Sequence, residues 1–405
     1  GPQAASSASS ASSVGRGAGW GEAMAPTGAR LLSGVKPGPR ASLPGRARRG
    51  AVTSPLHETL LWLCTIPSVI GDERALCDAV EARVKKLPLP APVRRFGDSI
   101  VVPISRGTGG PAIALAGHLD VVRTAHDAPP RIEGDLLYGP GASDMKSGLA
   151  LMLHLVETCD LAALRCDLTL VFYAREEGPF AENELGPVLA ADPELRHQHF
   201  AVCLEPSDNR LQLGCNGSLH AKVVFQGRTA HSSRPWQGDN AIHQAASLLA
   251  DLGALAPVEF RDGDLVYRAV TSATTAQGGR GRNIIPDLFE LNLNHRFTPG
   301  TSIEQARQHV LALVAGRASV EFIDESPSAP TALDHPETRR LIAAGVAAVE
   351  PKQAWTDVAR FAQLGVAAVN FGPGVNAQAH QRNEWTSLPL LDEGFAILKR
   401  WIFDR

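Results

Sequence analysis

The chain is short of several things, and each shortage removes a class of protein. Its six cysteines (Cys64, Cys77, Cys159, Cys166, Cys203 and Cys215) are scattered, with no C-x-x-C pair, so they read as reduced core thiols of a cytoplasmic protein. No run approaches the roughly 20 consecutive apolar residues that a membrane helix requires, so no membrane association is expected. Charge of one sign is also scarce. Lys and Arg total 39 against 42 Asp and Glu, a net charge of -3, which does not suit a dedicated nucleic-acid binder. No G-x-G-x-x-G follows the first strands and no G-x-x-x-x-G-K-[ST] exists, which disfavours dinucleotide and nucleotide binding. A serine hydrolase is disfavoured in the same way, since there is no G-x-S-x-G elbow.

What is present is a globular composition, 44% hydrophobic and 20% charged over 405 residues, enough for two or three domains. Residues 1–54 stand apart. They are rich in Ser, Ala, Gly, Pro and Arg, and Glu22 is the only acid before Glu58, so they are expected to be a disordered low-complexity leader. From Pro55 the pattern alternates between helices and short apolar strands. Strands are expected at 99–105, 112–116, 167–174, 201–204 and 366–371, and helices at 144–159, at 336–349 and from about Leu390. That alternation predicts an α/β fold with a mainly parallel sheet covered on both faces. Between 217 and 326 the order changes to strand, helix, strand, strand, helix, strand, which reads as an inserted ferredoxin-like α+β module. The first domain, 55–216, is then expected to resume over 327–405.

The chemistry concentrates at strand ends. Candidate strands stop at or just before His118, Glu176 and Glu177, and Glu205, and one runs out shortly before His380. In an open parallel sheet the carboxyl ends of strands converge on one crevice. Taken singly, each residue has a bland reading. His118 and Asp120 form a turn pair, Asp144 is a helix N-cap, Glu176 and Glu177 are solvated acids, Glu205 enters a helix and His380 lies on the surface. Together they make a set that suits a pair of divalent ions: His118, Asp144, Glu177, Glu205 and His380 as ligands, with Glu176 left over for proton transfer. Two zinc ions carry +4, and three carboxylates with a hydroxide carry -4, so such a site can be buried near neutrality. Zinc suits the donor set, with cobalt or manganese as substitutes. Asp120, two residues past His118, is expected to orient that imidazole.

The stretches Gly117-His118-Leu119-Asp120-Val121-Val122, Gly141-Ala142-Ser143-Asp144-Met145-Lys146-Ser147-Gly148, Glu176-Glu177-Gly178 and Glu205-Pro206, with the late His380, resemble the dinuclear-zinc aminoacylase and carboxypeptidase family. Within it, three stretches are similar to the desuccinylase branch: Gly227-Arg228-Thr229-Ala230-His231-Ser232-Ser233-Arg234-Pro235-Trp236, Arg282-Asn283-Ile284-Ile285-Pro286-Asp287 and Trp355-Thr356-Asp357-Val358-Ala359-Arg360-Phe361. The resemblance implies a zinc aminopeptidase-like catalytic domain with an inserted lid and dimerisation domain, and two Zn2+ per subunit. Asp144 would bridge them, His118 and Glu205 would hold one, and Glu177 and His380 the other. It implies Glu176 as general base and acid, and His231 as a group that steadies the oxyanion in the partner subunit's site of a homodimer. Substrate contacts are expected at Asn283, Arg296, Arg234, Ser218 and Gly372. The implied reaction is hydrolysis of N-succinyl-LL-2,6-diaminopimelate. The alternatives are deacylation of another N-acyl amino acid, as in acetylornithine deacetylase or an aminoacylase, cleavage of a small peptide, or a silent scaffold role. One departure stands out: Cys215-Asn216-Gly217-Ser218 lacks the arginine that other desuccinylase branches carry nearby, which leaves carboxylate recognition open.

Overall fold

A computed structural model describes residues 53–404; the leader expected at 1–54 therefore lies, up to residue 52, outside the described residues. The larger sheet has eight strands in the spatial order Arg94–Phe96, Ser99–Pro103, Asp167–Tyr173, Ala112–His118, Phe200–Cys203, Ala367–Asn370, Leu211–Leu213 and Val349–Pro351. The four central strands, from Asp167–Tyr173 to Ala367–Asn370, run parallel, and antiparallel pairings flank them on both sides. These strands are mainly apolar because both faces are covered. Ile113, Leu115, Leu170 and Val202 pack under the helices Pro55–Thr65, Arg74–Val84, Lys146–Thr158 and Leu388–Phe403. On the other face, Ala114, Ala116, Val171 and Ala201 meet Leu185–Ala191 and Val358–Gln363. Leu115, Leu170 and Val202 are fully buried, each contributing about 1.5–3 kcal/mol.

Residues 217–326 build a second, wholly antiparallel sheet in the order Val258–Asp262, Leu265–Gly278, Leu288–Phe297, Gly217–Gln226, Ser319–Ser326. Leu219, Val223, Phe225, Leu291 and Leu293 on one face pack against Ala245, Leu248, Val310 and Val314 of two helical segments. Ser302 and Gln305 close the start of the second helix with a capping box. The architecture is thus the α/β sheet plus α+β module read from the sequence.

Several boundaries differ for physical reasons. The first helix of the 217–326 module breaks at Ala245 into Ala241–Gln244 and Ala246–Ala254. The strand Val258–Asp262 was not expected, because almost all of it is exposed and it lacks buried alternation. The helix expected to begin at Asp144 begins at Lys146, since Asp144 is held in the preceding turn by other partners. The helix expected over 336–349 stops at Ala343, where Gly345 takes a positive φ of 100° and reverses the chain. No helix among the described residues is long and apolar enough to cross a membrane, and the six cysteines are unbonded and mostly buried.

Candidate metal centre and active site

Parallel pairing of the central strands puts His118 in register with Tyr173, and Ala116 with Cys203, so the chain leaves each of them on one edge. Six of the residues singled out from the sequence meet there. His118, Asp144 and Glu205 form one group whose donor atoms all lie within 4.8 Å of one another, and Asp144, Glu177 and His380 form another. Asp144 belongs to both. Its Oδ1 lies 3.3 Å from His118 Nε2 and its Oδ2 lies 3.6 Å from His380 Nε2, while His380 Nε2 is 2.9 Å from Glu177 Oε2. Glu176 and Glu177 form a third group with His118.

The electrostatics of this cluster are those of acids crowded out of water. Burial, then the neighbouring Glu205 carboxylate, pushes the Glu176 carboxyl well above its ordinary range. Burial raises Glu205 to about 7, opposed by His118. At His118 burial disfavours the imidazolium, but Asp144, Asp120, Glu176 and Glu205 outweigh it and hold the group well above the ordinary value. The hydrogen bond to Glu177 raises His380 to about 9 against a smaller effect of burial. Three buried atoms in this cluster have no hydrogen-bond partner: His118 Nε2, Asp144 Oδ1 and Glu205 Oε1. A buried polar atom left unpaired costs about 1–3 kcal/mol. Three such atoms converging from one His/carboxylate group are donors of the kind that could hold a divalent cation.

Asp120 lies against the His118 ring, its backbone carbonyl 3.0 Å and its carboxylate Oδ1 3.6 Å from Nδ1. Its carboxylate also accepts the backbone N–H groups of Glu176 and Glu177, at 3.1 and 2.9 Å. It therefore sets the pair of acids, whose loop begins at Arg175 with a positive φ of 62°, a conformation that a non-glycine residue holds only under constraint. Asp357 secures the far side of the same loop: it is fully buried and accepts from Asn183 Nδ2 and Arg360 Nε, and Arg360 stacks 3.8 Å over Phe180.

Glu384 escaped the sequence reading. It is buried and accepts the backbone N–H groups of Gly141, Ser143 and Asp144 at 2.7–2.9 Å, so it fixes the turn that aims Asp144. Burial raises it to about 7 despite those donors. An acid four residues past His380 and next to the strand Trp385–Ser387 was the available signal. Gly372 is buried, and a Cβ there would collide with the carbonyl oxygen of Glu205, as one on Gly374 would with that of Ser143. Close approach of three loops, rather than a turn, is what requires these glycines.

The other candidates lie on the second sheet. His231 is exposed, in a two-residue ladder with Ile284 and Ile285, and Ser232 N–H donates to the Asn283 carbonyl. His231, Arg234 and Asn283 are thereby gathered, all exposed, but no hydrogen bond joins them to the acid and histidine cluster among the described residues. The backbone N–H of Ser233 donates to His231 Nδ1 at 3.1 Å, so the neutral ring carries its proton on Nε2. Ser218 and Arg296 are register partners; Arg296 Nε donates to Asn294 Oδ1, and burial lowers the guanidinium pKa.

The chain is similar to known proteins along most of its length. The succinyl-diaminopimelate desuccinylase of Corynebacterium glutamicum is 35% identical over 347 residues, covering 84% of this chain and 94% of its own. That of Stenotrophomonas maltophilia is 30% identical over 347 residues, with 78% and 90% covered. An M20 family metallo-carboxypeptidase from Sulfolobus solfataricus superposes with a TM-score of 0.70 over 86% of this chain and 98% of its own, at 16% identity, a likeness of fold. Residues 114–404 match the profile of Peptidase family M20/M25/M40. With the converging strand ends and the two groups that share Asp144, this match places the chain in peptidase family M20/M25/M40.

Proposed function

We propose that this chain is a metal-dependent amide hydrolase that converts N-succinyl-LL-2,6-diaminopimelate and water to succinate and LL-2,6-diaminopimelate. The observation that carries the reading is the sharing of Asp144 between two His/carboxylate groups beside a half-buried acid, Glu176. The desuccinylase relatives support the choice of substrate. Asp144 would bridge two ions, with His118 and Glu205 on one and Glu177 and His380 on the other; the unpaired atoms of His118, Asp144 and Glu205 fit that role. Zinc suits two imidazoles with three carboxylates, and Co2+ or Mn2+ would be accepted. Bound there, the ions would polarise the amide carbonyl and acidify water.

The protein's own groups do the rest. Glu176 takes the proton of the attacking water and hands it to the departing amine nitrogen, a task that suits a carboxyl held above its ordinary range by desolvation and the neighbouring Glu205. Asp120 holds Glu176 and Glu177 by their backbone amides. His231, exposed and with Nδ1 accepting from Ser233, would donate from Nε2 to the oxyanion of the amide in the partner subunit's site. Residues 217–326 act as lid and dimerisation domain between catalytic segments 55–216 and 327–405. The exposed apolar side chains of Trp236, Val258 and Phe260 support a homodimer through this module. Six unbonded cysteines support residence in the cytoplasm.

The test is hydrolysis by zinc-loaded protein of N-succinyl-diaminopimelate beside N-acetylornithine, N-acetyl amino acids and dipeptides, with metal content measured per chain. Release of succinate with the highest kcat/KM, at two ions per chain, is the expected result. A higher kcat/KM on an acetylated or peptide substrate would replace the substrate while leaving the chemistry.

A further inference from the structure

His380 lies on the segment between the strands Ala367–Asn370 and Trp385–Ser387. Its backbone takes a positive φ of 61°, and Asn383 does the same at 54°. Asparagine tolerates that region, but a histidine stays there only when its surroundings hold it. The imidazole is 55% exposed, so burial does not supply the hold. Hydrogen bonds at the base and at the tip of the loop do.

At the base stands Ser143, which is fully buried. Its hydroxyl accepts the Val375 N–H at 3.0 Å and donates to the Trp385 carbonyl at 2.8 Å, which uses both functions of the group. Val375 lies five residues before His380 and Trp385 five after it, so one hydroxyl closes the loop evenly about the imidazole. The fit is close: a Cβ on Gly374 would fall 2.2 Å from the Ser143 carbonyl oxygen. Ser143 directly precedes Asp144, and its own N–H donates to Glu384 at 2.7 Å. The turn carrying Asp144 and the loop carrying His380 are thus registered against each other through this side chain. At the tip, Asp127 accepts from Asn383 Nδ2 at 2.6 Å and from the Arg382 guanidinium, and its N–H donates to Asn383 Oδ1 at 2.8 Å. Those partners are more exposed, and exposed contacts contribute less than a buried hydroxyl whose loss strands two backbone groups.

Resting on the metal-dependent reading above, we propose that Ser143 is a positioning residue that sets His380 against Asp144 and Glu177 and so determines how tightly that group of three holds a cation. Without the hydroxyl, the Val375 N–H and the Trp385 carbonyl lose their partner. The backbone bonds from the Asp144 turn to Glu384 remain, so Asp144 keeps its place while His380 does not. The group of His118, Asp144 and Glu205 takes no donor from the loop and serves as an internal reference.

The test is calorimetric titration of Zn2+ into metal-free full-length protein: wild type, Ser143→Ala, His380→Ala and the double variant. Ser143→Ala alone is expected to weaken one of two binding steps about 10- to 100-fold, the range for losing a group that orients a metal ligand, and to leave the other step in place. Added to His380→Ala, the same substitution should change the remaining affinity by less than about 2-fold. A loss of similar size in both backgrounds would show that Ser143 supports Asp144 or the fold rather than His380. Two unchanged affinities in Ser143→Ala would remove the role altogether. Should Ser143→Ala not fold, Asp127→Ala carries the test from the tip of the loop, with a loss of about 2- to 10-fold expected, as for one hydrogen bond, and none in the His380→Ala background. No loss there overturns the proposal. Wild-type protein that takes up no Zn2+ would instead overturn the metal centre itself.

Discussion

The edge of the large sheet and the rim of the small one both carry residues suited to amide hydrolysis, and they are built in opposite ways. At the large sheet four of the candidates are held from behind: the backbone of Asp144 by Glu384, that of Glu176 and Glu177 by Asp120, and the His118 ring by a backbone carbonyl. At the small sheet His231, Arg234 and Asn283 are exposed and held only by a two-residue ladder and a local turn. The first arrangement is complete within one chain. The second is exposed, and in the proposed function it would serve the site of a partner subunit.

The largest effect should separate chemistry from metal binding at the rigid edge. Glu176→Gln is expected to lower kcat by about 100- to 10,000-fold, the range of a lost general base, while metal content per chain stays at the wild-type level. A drop in metal content alongside turnover would show Glu176 to be a ligand and remove the distinction between it and Glu177. At the small sheet, His231→Ala is expected to lower kcat by roughly 100- to 1,000-fold, as for loss of one oxyanion donor. Mixing it with Glu176→Gln protein under subunit exchange should restore measurable activity, because hybrid dimers contain one site with both residues intact. Absence of any recovery would mean that the rim does not serve a partner's site.

A smaller effect is expected one layer behind the cluster. Asp120→Asn places an amide N–H2 against one of the two backbone N–H groups that the carboxylate now accepts, so the Glu176–Glu177 pair loses half its support. Activity or metal affinity should fall about 10- to 100-fold, with the fold intact by circular dichroism. Unchanged activity and affinity would show that the loop is held well enough by Asp357 and Arg360 alone.

The contrast also governs how much could be read without coordinates. The parallel sheet and the meeting of its strand ends were legible because apolar runs ending in His118, Glu177 and Glu205 obey a simple rule of α/β folds. What lay beyond reach was support by distant partners. The position of Glu384 beside a strand was a weak signal that could not show it as the acceptor for three amides of a turn some 240 residues earlier, and spacing placed Asp120 beside His118 without revealing that its carboxylate also holds the amides of Glu176 and Glu177. Gly372 shows the same limit: a Gly-Pro-Gly sequence suggests a turn, whereas packing against the Glu205 backbone is what excludes a side chain. The exposed strand Val258–Asp262 was missed because it buries nothing, so it leaves no periodic trace.

The smallest expected effect concerns the one member of the edge cluster that is more than half exposed, His380. The hydrogen bond to Glu177 raises its pKa from 6.5 to about 9 in the metal-free protein. A raised folded-state pKa means that the pair stabilises the fold fully below about pH 6.5 and loses that contribution as the pH rises through about 9. Solvent screening limits an exposed pair to a fraction of a kcal/mol, so the melting temperature of metal-free wild type should exceed that of His380→Ala by only ~1–2 °C at pH 6.5 and by nothing at pH 10. Metal binding competes for the same imidazole. At pH 7.5 it should therefore expel close to one proton per chain from His380, read by titration calorimetry in buffers of different ionisation enthalpy. His380→Ala should abolish that proton, and a release identical in the two proteins would exclude His380 from the metal centre.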